Sequence, residues 1–588
     1  MKKNSNNPSI KEKPAKANIF EILKPYRAMI MWLIIFALLS NAVNLVIPKL
    51  ISRSIDAYSG GHFSFKTTLI EFLIASIFIF VFTYLQSVIQ TLASEKVARD
   101  LRTKLSAKIS RQSYAYIQKT SPAKLLTNLT SDIDSVKMFV SMAVVSIASS
   151  LFIIIGASIL LISINWKLAI PVIAIIPIIG GAFFMVLSKV RVIFKKSREV
   201  IDWLNKVINE SILGAAIIRV LNSQQLEYNK FLDANSRAKD LGMSILKLFA
   251  SLIPMVIFVS NMALLAILAL GGHFVINGNM SLGDFAAFNS YLVILIFPII
   301  VIGFMSNVMA QATASYQRIS DVLNAAEPIE KGTIDASLQG QIELKNINVY
   351  YGEKAVLKDI SIFVEPGSET AIIGPTAAGK SQLLYLLTAL IKPQSGTVEF
   401  DGISLESYIK ETFHHQIGFV FQDSIIFNMS LRENIAFNES VTKDALEKAI
   451  ATAELNDFVD SLPLGLETVV SERGNSLSGG QKQRIMLARA LALNPKILLL
   501  DDFTARVDYK TEQKILKNVR ENYPELTLIS VTQKIASVMH FNQIVLLMEG
   551  EIVAKGTHQE LMNTCAEYVQ IFNSQRSTSH YETSSITE

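Results

Sequence analysis

Cysteine is nearly missing: Cys565 is the single example in 588 residues. That excludes an internal disulfide framework and a thiolate metal site, and it leaves the redox compartment open. Charge is scarce as well. Only 18% of residues are Asp, Glu, Lys or Arg, against about a quarter in ordinary soluble domains. The deficit is concentrated between residues 29 and 308, which hold most of the long apolar runs, whereas 341–575 reads as an ordinary mixed domain. The formal net charge of +5 is modest, and the lysines and arginines flank apolar runs instead of forming one basic stripe. This argues against a nucleic-acid binder. The opening MKKNSNNPSIKEKPAKAN has no short apolar stretch ending in a cleavage site. Residues 1–18 are therefore read as a disordered cytoplasmic tail and not as a signal peptide. The chain is too long for one core, so two or three domains are expected.

What is present in excess is apolar length. Crossing a bilayer takes about 20 apolar residues, and six stretches qualify: Met29–Leu50, Leu69–Leu92, Val140–Ile164, Leu168–Leu187, Leu248–Ile276 and Phe285–Val308. Six such stretches would not fit one soluble core. Only Asn165, Trp166 and Lys167 separate the third from the fourth, which predicts a tight hairpin. Lys and Arg are unevenly shared. The tail up to Arg27 carries seven, segment 93–139 nine and segment 188–247 eleven, while the three connections on the other side carry two, one and none. Both termini are expected in the cytoplasm. Segments 93–139 and 188–247 keep helical periodicity without Gly/Pro clusters. Each is expected to fold as an antiparallel helical pair extending roughly 30–40 Å beyond the membrane. The spans hold almost no charge. Their amides (Asn41, Asn44, Asn261, Asn289 and Asn307) are expected to bond neighbouring helices. Without buried acids a proton relay is disfavoured, and an amphipathic or apolar cargo suits this lining better than an ion.

Beyond the spans, Gly374-Pro375-Thr376-Ala377-Ala378-Gly379-Lys380-Ser381 fits G-x-x-x-x-G-K-[ST]. Thr370–Ile373 reads as a strand and Ser381–Leu390 as a helix, which is the context this loop requires. Its glycines let backbone N–H groups curl around phosphate oxygens, with the helix N-terminus adding positive potential. Lys380 is expected on the β- and γ-phosphates and Ser381 on Mg²⁺. Ile497–Asp501 is an apolar strand ending in an acid, the Walker B arrangement, with Asp501 in the Mg²⁺ shell. On its own that pattern is common.

Leu477-Ser478-Gly479-Gly480-Gln481, followed by Lys482-Gln483-Arg484, identifies the family. The chain resembles ABC exporter half-transporters from Ile19 to about Phe572. Weaker matches are Lys24–Arg27, Leu129–Phe139 and Asn209–Leu221, the last at the place of a coupling helix and Tyr114–Lys119 at the place of another. The resemblance implies an α-helical membrane domain, with six transmembrane helices and long cytoplasmic extensions, plus an α/β P-loop ABC nucleotide-binding domain. The expected bounds are 19–324 for the membrane domain, 325–340 for a linker, 341–575 for the nucleotide domain and 576–588 for a polar tail. It also implies residue roles. Tyr351 matches the aromatic that stacks on adenine, and Gln422 the glutamine that senses Mg²⁺ and the membrane domain. Ser471–Gly474 matches the segment facing the coupling helices, and Asp508 the acid of the loop crossing the dimer interface. ATP and Mg²⁺ are the implied cofactors. Each nucleotide lies between one chain's P-loop and the other's signature, so a dimer is implied.

Four departures cluster on the P-loop side. Asp502 stands where the family has the catalytic Glu, and Gln533 where it has the switch His. Ala377 replaces the usual Gly, and Gln382 the usual Thr. A misplacement of about 1 Å costs on the order of 100-fold in rate. If position 377 takes φ > 0, its Cβ costs roughly 1 kcal/mol. The signature is intact. This asymmetry resembles the degenerate-site subunit of heterodimeric bacterial exporters. Its expected setting is the bacterial cell (inner) membrane, beside a second half-transporter carrying the Walker B Glu and the switch His. Drug, lipid and peptide cargos stay open. So do three rival readings: an exporter-shaped importer, a slow homodimeric exporter, and a nucleotide-gated channel or regulatory module. A soluble DNA-acting ATPase is excluded by the six spans.

Overall fold

In the computed structural model, residues 18–328, 332–471, 474 and 476–584 are described. The tail expected at 1–18 lies outside them save for Asn18, as do Glu472 and Arg473. The chain divides into two units: Met1–Arg111 with Thr120–Ala326, and Gln112–Lys119 with Glu327–Glu588.

Six helices of the first unit are long and apolar enough to cross a membrane: α1 (Ile19–Ser59), α2 (Phe65–Ser110), α3 (Pro122–Ile164), α4 (Trp166–Leu213), α5 (Gln224–Ile276) and α6 (Leu282–Leu323). Each runs well past its apolar stretch, because the polar flanks keep helical spacing. Caps define the turns. Asn165 accepts from the backbone N–H of Lys167 and Leu168 at 3.1 and 3.2 Å and closes the α3–α4 hairpin. Ser281 accepts from Asp284 N–H and starts α6. The far end of α1 is tied to that start. Lys49 and Ser52 both donate to Asp284 at 3.0 Å, and Asp56 accepts from Gly283 N–H at 2.8 Å. A Cβ on Gly283 would lie 2.1 Å from the Ser52 carbonyl oxygen, so only glycine allows this approach. Toward the other end of α6, Arg318 forms a two-point ion pair with buried Asp132, next to a π-helical turn at Asn128–Asp132.

One expectation needs correction. Among the described residues, Asn44 and Asn289 bond within their own helices and not to neighbouring ones. Their amides donate to the carbonyls of Ser40 and Phe285 in their own helices, both at 3.2 Å. The residue four positions back is always within reach of a short polar side chain.

The second unit is built on two sheets. Strands β1 (Ile342–Tyr351), β2 (Lys354–Val364), β4 (Ser395–Phe400) and β5 (Ile403–Ser404) make an antiparallel sheet ordered β2-β1-β4-β5. The other sheet has the order β10-β9-β3-β8-β7-β6. Its strands are β3 (Glu369–Ile373), β6 (Ile417–Val420), β7 (Ile497–Asp501), β8 (Thr527–Thr532), β9 (Gln543–Met548) and β10 (Glu551–Gly556). All pair in parallel except β10. The near-continuous apolar runs of β7, β8 and β9 suit a sheet covered on both faces. Three helices matter below: α7 (Lys380–Leu387), α8 (Gly479–Leu491) and α9 (Tyr509–Asn522). Helix α7 ends three residues before the expected Leu390, because Ala389 turns left-handed at φ 55°. Residues Gln112–Lys119 pack with this unit, the Tyr114 ring meeting Tyr385 of α7 edge-on at 5.7 Å.

Candidate functional site

The neighbouring strands β3, β8 and β7 end on one side of the parallel sheet, and the loops after them meet there. Ligands of open α/β sheets bind at such carboxyl ends. A cleft of about 710 Å³ opens at this place. Tyr351, Thr376, Ala377, Ala378, Gly379, Lys380, Ser381, Gln382, Gln422, Asp501, Asp502 and Gln533 all line it. Segments more than 180 residues apart in sequence are thereby gathered.

The loop after β3 is shaped by two glycines. Gly374 has φ 153°, and a Cβ there would lie 2.0 Å from the Leu547 carbonyl oxygen. Gly379 has φ 100° and starts α7; its Cβ would come within 2.8 Å of the Val356 carbonyl oxygen. Ala377 does take a left-handed conformation, φ 67°, so the condition for strain is met. Lys380 donates to the carbonyls of Gly374 and Pro375 at 2.9 and 2.8 Å. Burial pushes its ammonium below the usual lysine range, opposed by the charges of Asp502 and Asp501.

Ser381 donates to Asp501 Oδ1 at 3.0 Å. Burial pushes the Asp501 carboxyl above the usual range, the Ser381 hydrogen bond opposes this, and nearby Asp502 adds to it. Asp501 Oδ2 is buried with no partner among the described residues. A buried, unpartnered carboxylate oxygen beside a serine hydroxyl is an oxygen donor set that fits Mg²⁺. Ser381 and Asp501 would hold the ion, with Gln422 on the same cleft. When bound, the ion would offset the charge of the phosphates.

The remaining cleft residues carry the departures. Asp502 follows β7 at φ 47°, its N–H donating to the Val531 carbonyl at 2.9 Å. Gln533 follows β8, and its carbonyl accepts from Gln575 Nε2 at 2.6 Å. Gln575 Oε1 also accepts from Ile535 N–H at 3.0 Å, so one amide spans the loop. Tyr351 donates to Gln382 Oε1 at 2.6 Å. The Gln422 carbonyl accepts from buried Gln483 Nε2 at 3.2 Å, joining this loop to α8. No sequence pattern pointed to Gln575 or cleft-lining Lys354, and the motif that includes Gln483 did not show its bond to the Gln422 loop.

Leu477–Gln481 and Asp508 are not brought into the cleft. Ser478 caps α8 through a reciprocal box: it accepts from Gln481 N–H at 3.2 Å, and Gln481 Oε1 accepts from Ser478 N–H at 2.8 Å. Gly479 and Gly480 lie against Arg506, with hypothetical Cβ atoms 3.2 Å from its Cδ and 3.0 Å from its carbonyl oxygen. Asp508 caps α9, accepting from Thr511 N–H at 2.9 Å, and that bond holds its carboxyl below the usual range.

Comparison with known proteins fits this geometry. Residues 29–299 match the ABC transporter transmembrane region and residues 357–505 match the ABC transporter family. The chain is 32% identical over 562 residues to an uncharacterized ABC transporter ATP-binding protein, YfiB, of Bacillus subtilis (strain 168), covering 94% of this chain and 97% of the relative. It is 28% identical over 499 residues to an ATP-dependent lipid A-core flippase of Desulfotalea psychrophila (strain LSv54 / DSM 12343), covering 84% and 87%. Its fold is similar to the structure of a bacterial Atm1-family ABC exporter with ATP bound, at TM-score 0.78 and 21% identity over 93% and 98% of the two chains.

Proposed function

The chain belongs to the ABC transporter family as a half-transporter of the exporter type, and we propose that it is the degenerate-site subunit of a two-chain exporter. Its own P-loop holds Mg²⁺–ATP with little hydrolysis. Its Leu477–Gln481 segment completes the hydrolytic site on a second half-transporter, which supplies the Walker B Glu and the switch His. One observation carries this reading. Ala377, Gln382, Asp502 and Gln533, the four departures from the family pattern, line a single cleft. The signature lies outside that cleft with its caps and glycines in order.

Further features support the assembly. The helical tip Ala215–Val220 and its flanks leave Ile212, Leu213, Ile217, Val220 and Leu221 exposed. An apolar patch of this kind marks an interaction surface, and it suits the nucleotide domain of the partner. Helix α2 exposes most of its apolar side chains, as contact with membrane lipid requires. The proposed bounds are 19–324 for the membrane domain and 341–575 for the nucleotide domain. The proposed setting is the bacterial cell membrane with both termini cytoplasmic. The cargo is amphipathic or apolar, in keeping with spans that hold little charge and with a relative named as a lipid flippase.

Photolabelling tests the asymmetry. The two-chain complex is trapped with vanadate and an 8-azido-ATP during turnover, and the labelled chain is identified. Label is expected on the partner's P-loop with little on this chain. Equal labelling of both chains would overturn the reading in favour of two equivalent sites.

A further inference from the structure

We propose that Gln382 is a positioning residue for the nucleotide base: it fixes the ring of Tyr351 on which the base stacks. This rests on the reading of the cleft as an ATP site and adds a determinant of base recognition specific to this chain.

The argument starts from the placement of Tyr351. It ends β1 and is followed by a left-handed turn at Gly352, φ 64°. Tyr351 is 51% exposed, so packing alone does not select one rotamer. A stacking platform that swings freely is a poor one, since holding a side chain still on binding costs about 0.5–1.5 kcal/mol. In this structure the ring is already tethered. Its hydroxyl donates to Gln382 Oε1 at 2.6 Å. Gln382 is the third residue of α7, directly after Lys380 and Ser381. The tether therefore joins the base-stacking ring to the helix turn that carries the phosphate-binding groups.

Side-chain length decides whether this is available. The glutamine acceptor lies three bonds beyond Cβ, whereas a threonine hydroxyl lies one bond beyond it. The usual Thr at this position would leave Tyr351 untethered. The substitution that removes a hydroxyl from the phosphates thus adds a restraint on the base. In a site that retains nucleotide without turning it over, such a restraint favours occupancy by ordering the ring before ATP arrives.

The test compares two ligands on the full-length chain in detergent: ATP, and inorganic tripolyphosphate, which has phosphates and no base. Both are measured by displacement of a fluorescent MANT-ATP. Tyr351→Phe removes the hydroxyl alone, and Gln382→Leu removes the acceptor. Each is expected to weaken ATP about three- to tenfold and to leave tripolyphosphate within twofold. The double variant is expected to be no weaker than either single one. Equal losses for both ligands would overturn the proposal, because Gln382 would then act on the phosphates. Additive losses, or none, would overturn it too. Failure of the unaltered chain to bind ATP would instead refute the nucleotide site itself, so the two failures are distinct.

Discussion

Substituting the two faces of the nucleotide domain separates asymmetric from equivalent sites, and the structure gives the size of each effect. Gly480 is the second residue of α8. A Cβ added there lies 3.0 Å from the Arg506 carbonyl oxygen. In Gly480→Asp the carboxylate is repelled by that carbonyl and turns toward the free helix start, where the partner's phosphates would sit. A like charge about 4 Å from a phosphate costs on the order of 4 kcal/mol at an effective dielectric near 20, or about three orders of magnitude. Asp502→Asn is mild by comparison. Asparagine tolerates the left-handed backbone as aspartate does, so the φ of 47° survives, and only a charge is removed from a site proposed to hydrolyse weakly. The assay is steady-state ATPase of the purified two-chain complex, with assembly checked by size-exclusion chromatography. More than 90% loss is expected for Gly480→Asp and less than twofold loss for Asp502→Asn. Severe loss from both would refute the asymmetry and establish two equal sites.

Three further outcomes are expected. With Cys565 replaced by serine, a cysteine at Ser59 should react with an impermeant maleimide on intact cells and one at Ser223 should not; the reverse pattern would overturn the orientation. Arg489 donates to the carbonyls of Asn434 and Ile425 and to Asn434 Oδ1, at 2.6, 3.0 and 3.1 Å, so Arg489→Lys should strand the carbonyl of buried Asn434. That costs about 3 kcal/mol and should lower the nucleotide unit's unfolding midpoint by about 6–12 °C, measured by thermal scanning. Burial raises the Asp501 carboxyl above its usual range, so between the unfolded and the folded value the native state holds a proton that the unfolded chain has released, and this group's contribution to stability falls as pH rises across that window. Asp501→Asn should therefore raise the ligand-free midpoint at pH 7 by a few degrees while Mg²⁺ no longer tightens nucleotide binding. A lowered midpoint would contradict the burial argument.

What could be read directly from the chain was whatever depends on spacing. Gly374 to Ser381 are contiguous, and their chemistry constrains the backbone that presents them. The six spans follow from uninterrupted apolar length. Contacts between distant segments were not legible. Tyr351 and Gln382 are 31 positions apart, and nothing in either local sequence marks the other. The amide of Gln575 reaches 42 positions back to Gln533. Gln483 lies two residues past the signature and looks like part of an exposed helix face, yet it is buried against the Gln422 loop. The same limit explains Asn44 and Asn289. An amide in an apolar helix announces a hydrogen bond, and whether its own backbone or a neighbour supplies the partner is settled by packing.

Strain bears on why the departures occur together. Ala377 and Asp502 both line the cleft and both sit at positive φ, 67° and 47°. A left-handed conformation costs a residue with a Cβ roughly 1–2 kcal/mol, less for aspartate, whose short polar side chain suits that region. Such strain persists where the surroundings over-determine it. Here they do: Gly374 and Gly379 leave no room beside Leu547 and Val356, and Asp502 N–H is held by Val531. The loop thus holds its positive φ angles, while Asp502 and Gln533 stand where the proposed reading expects side chains better suited to hydrolysis. A backbone cradle binds phosphate through N–H groups and needs no particular side chain at position 377. Attack by water needs a base at the right distance and a partner to orient it. On the proposed reading the second function is lost and the first retained, the pattern expected of a site kept for holding nucleotide.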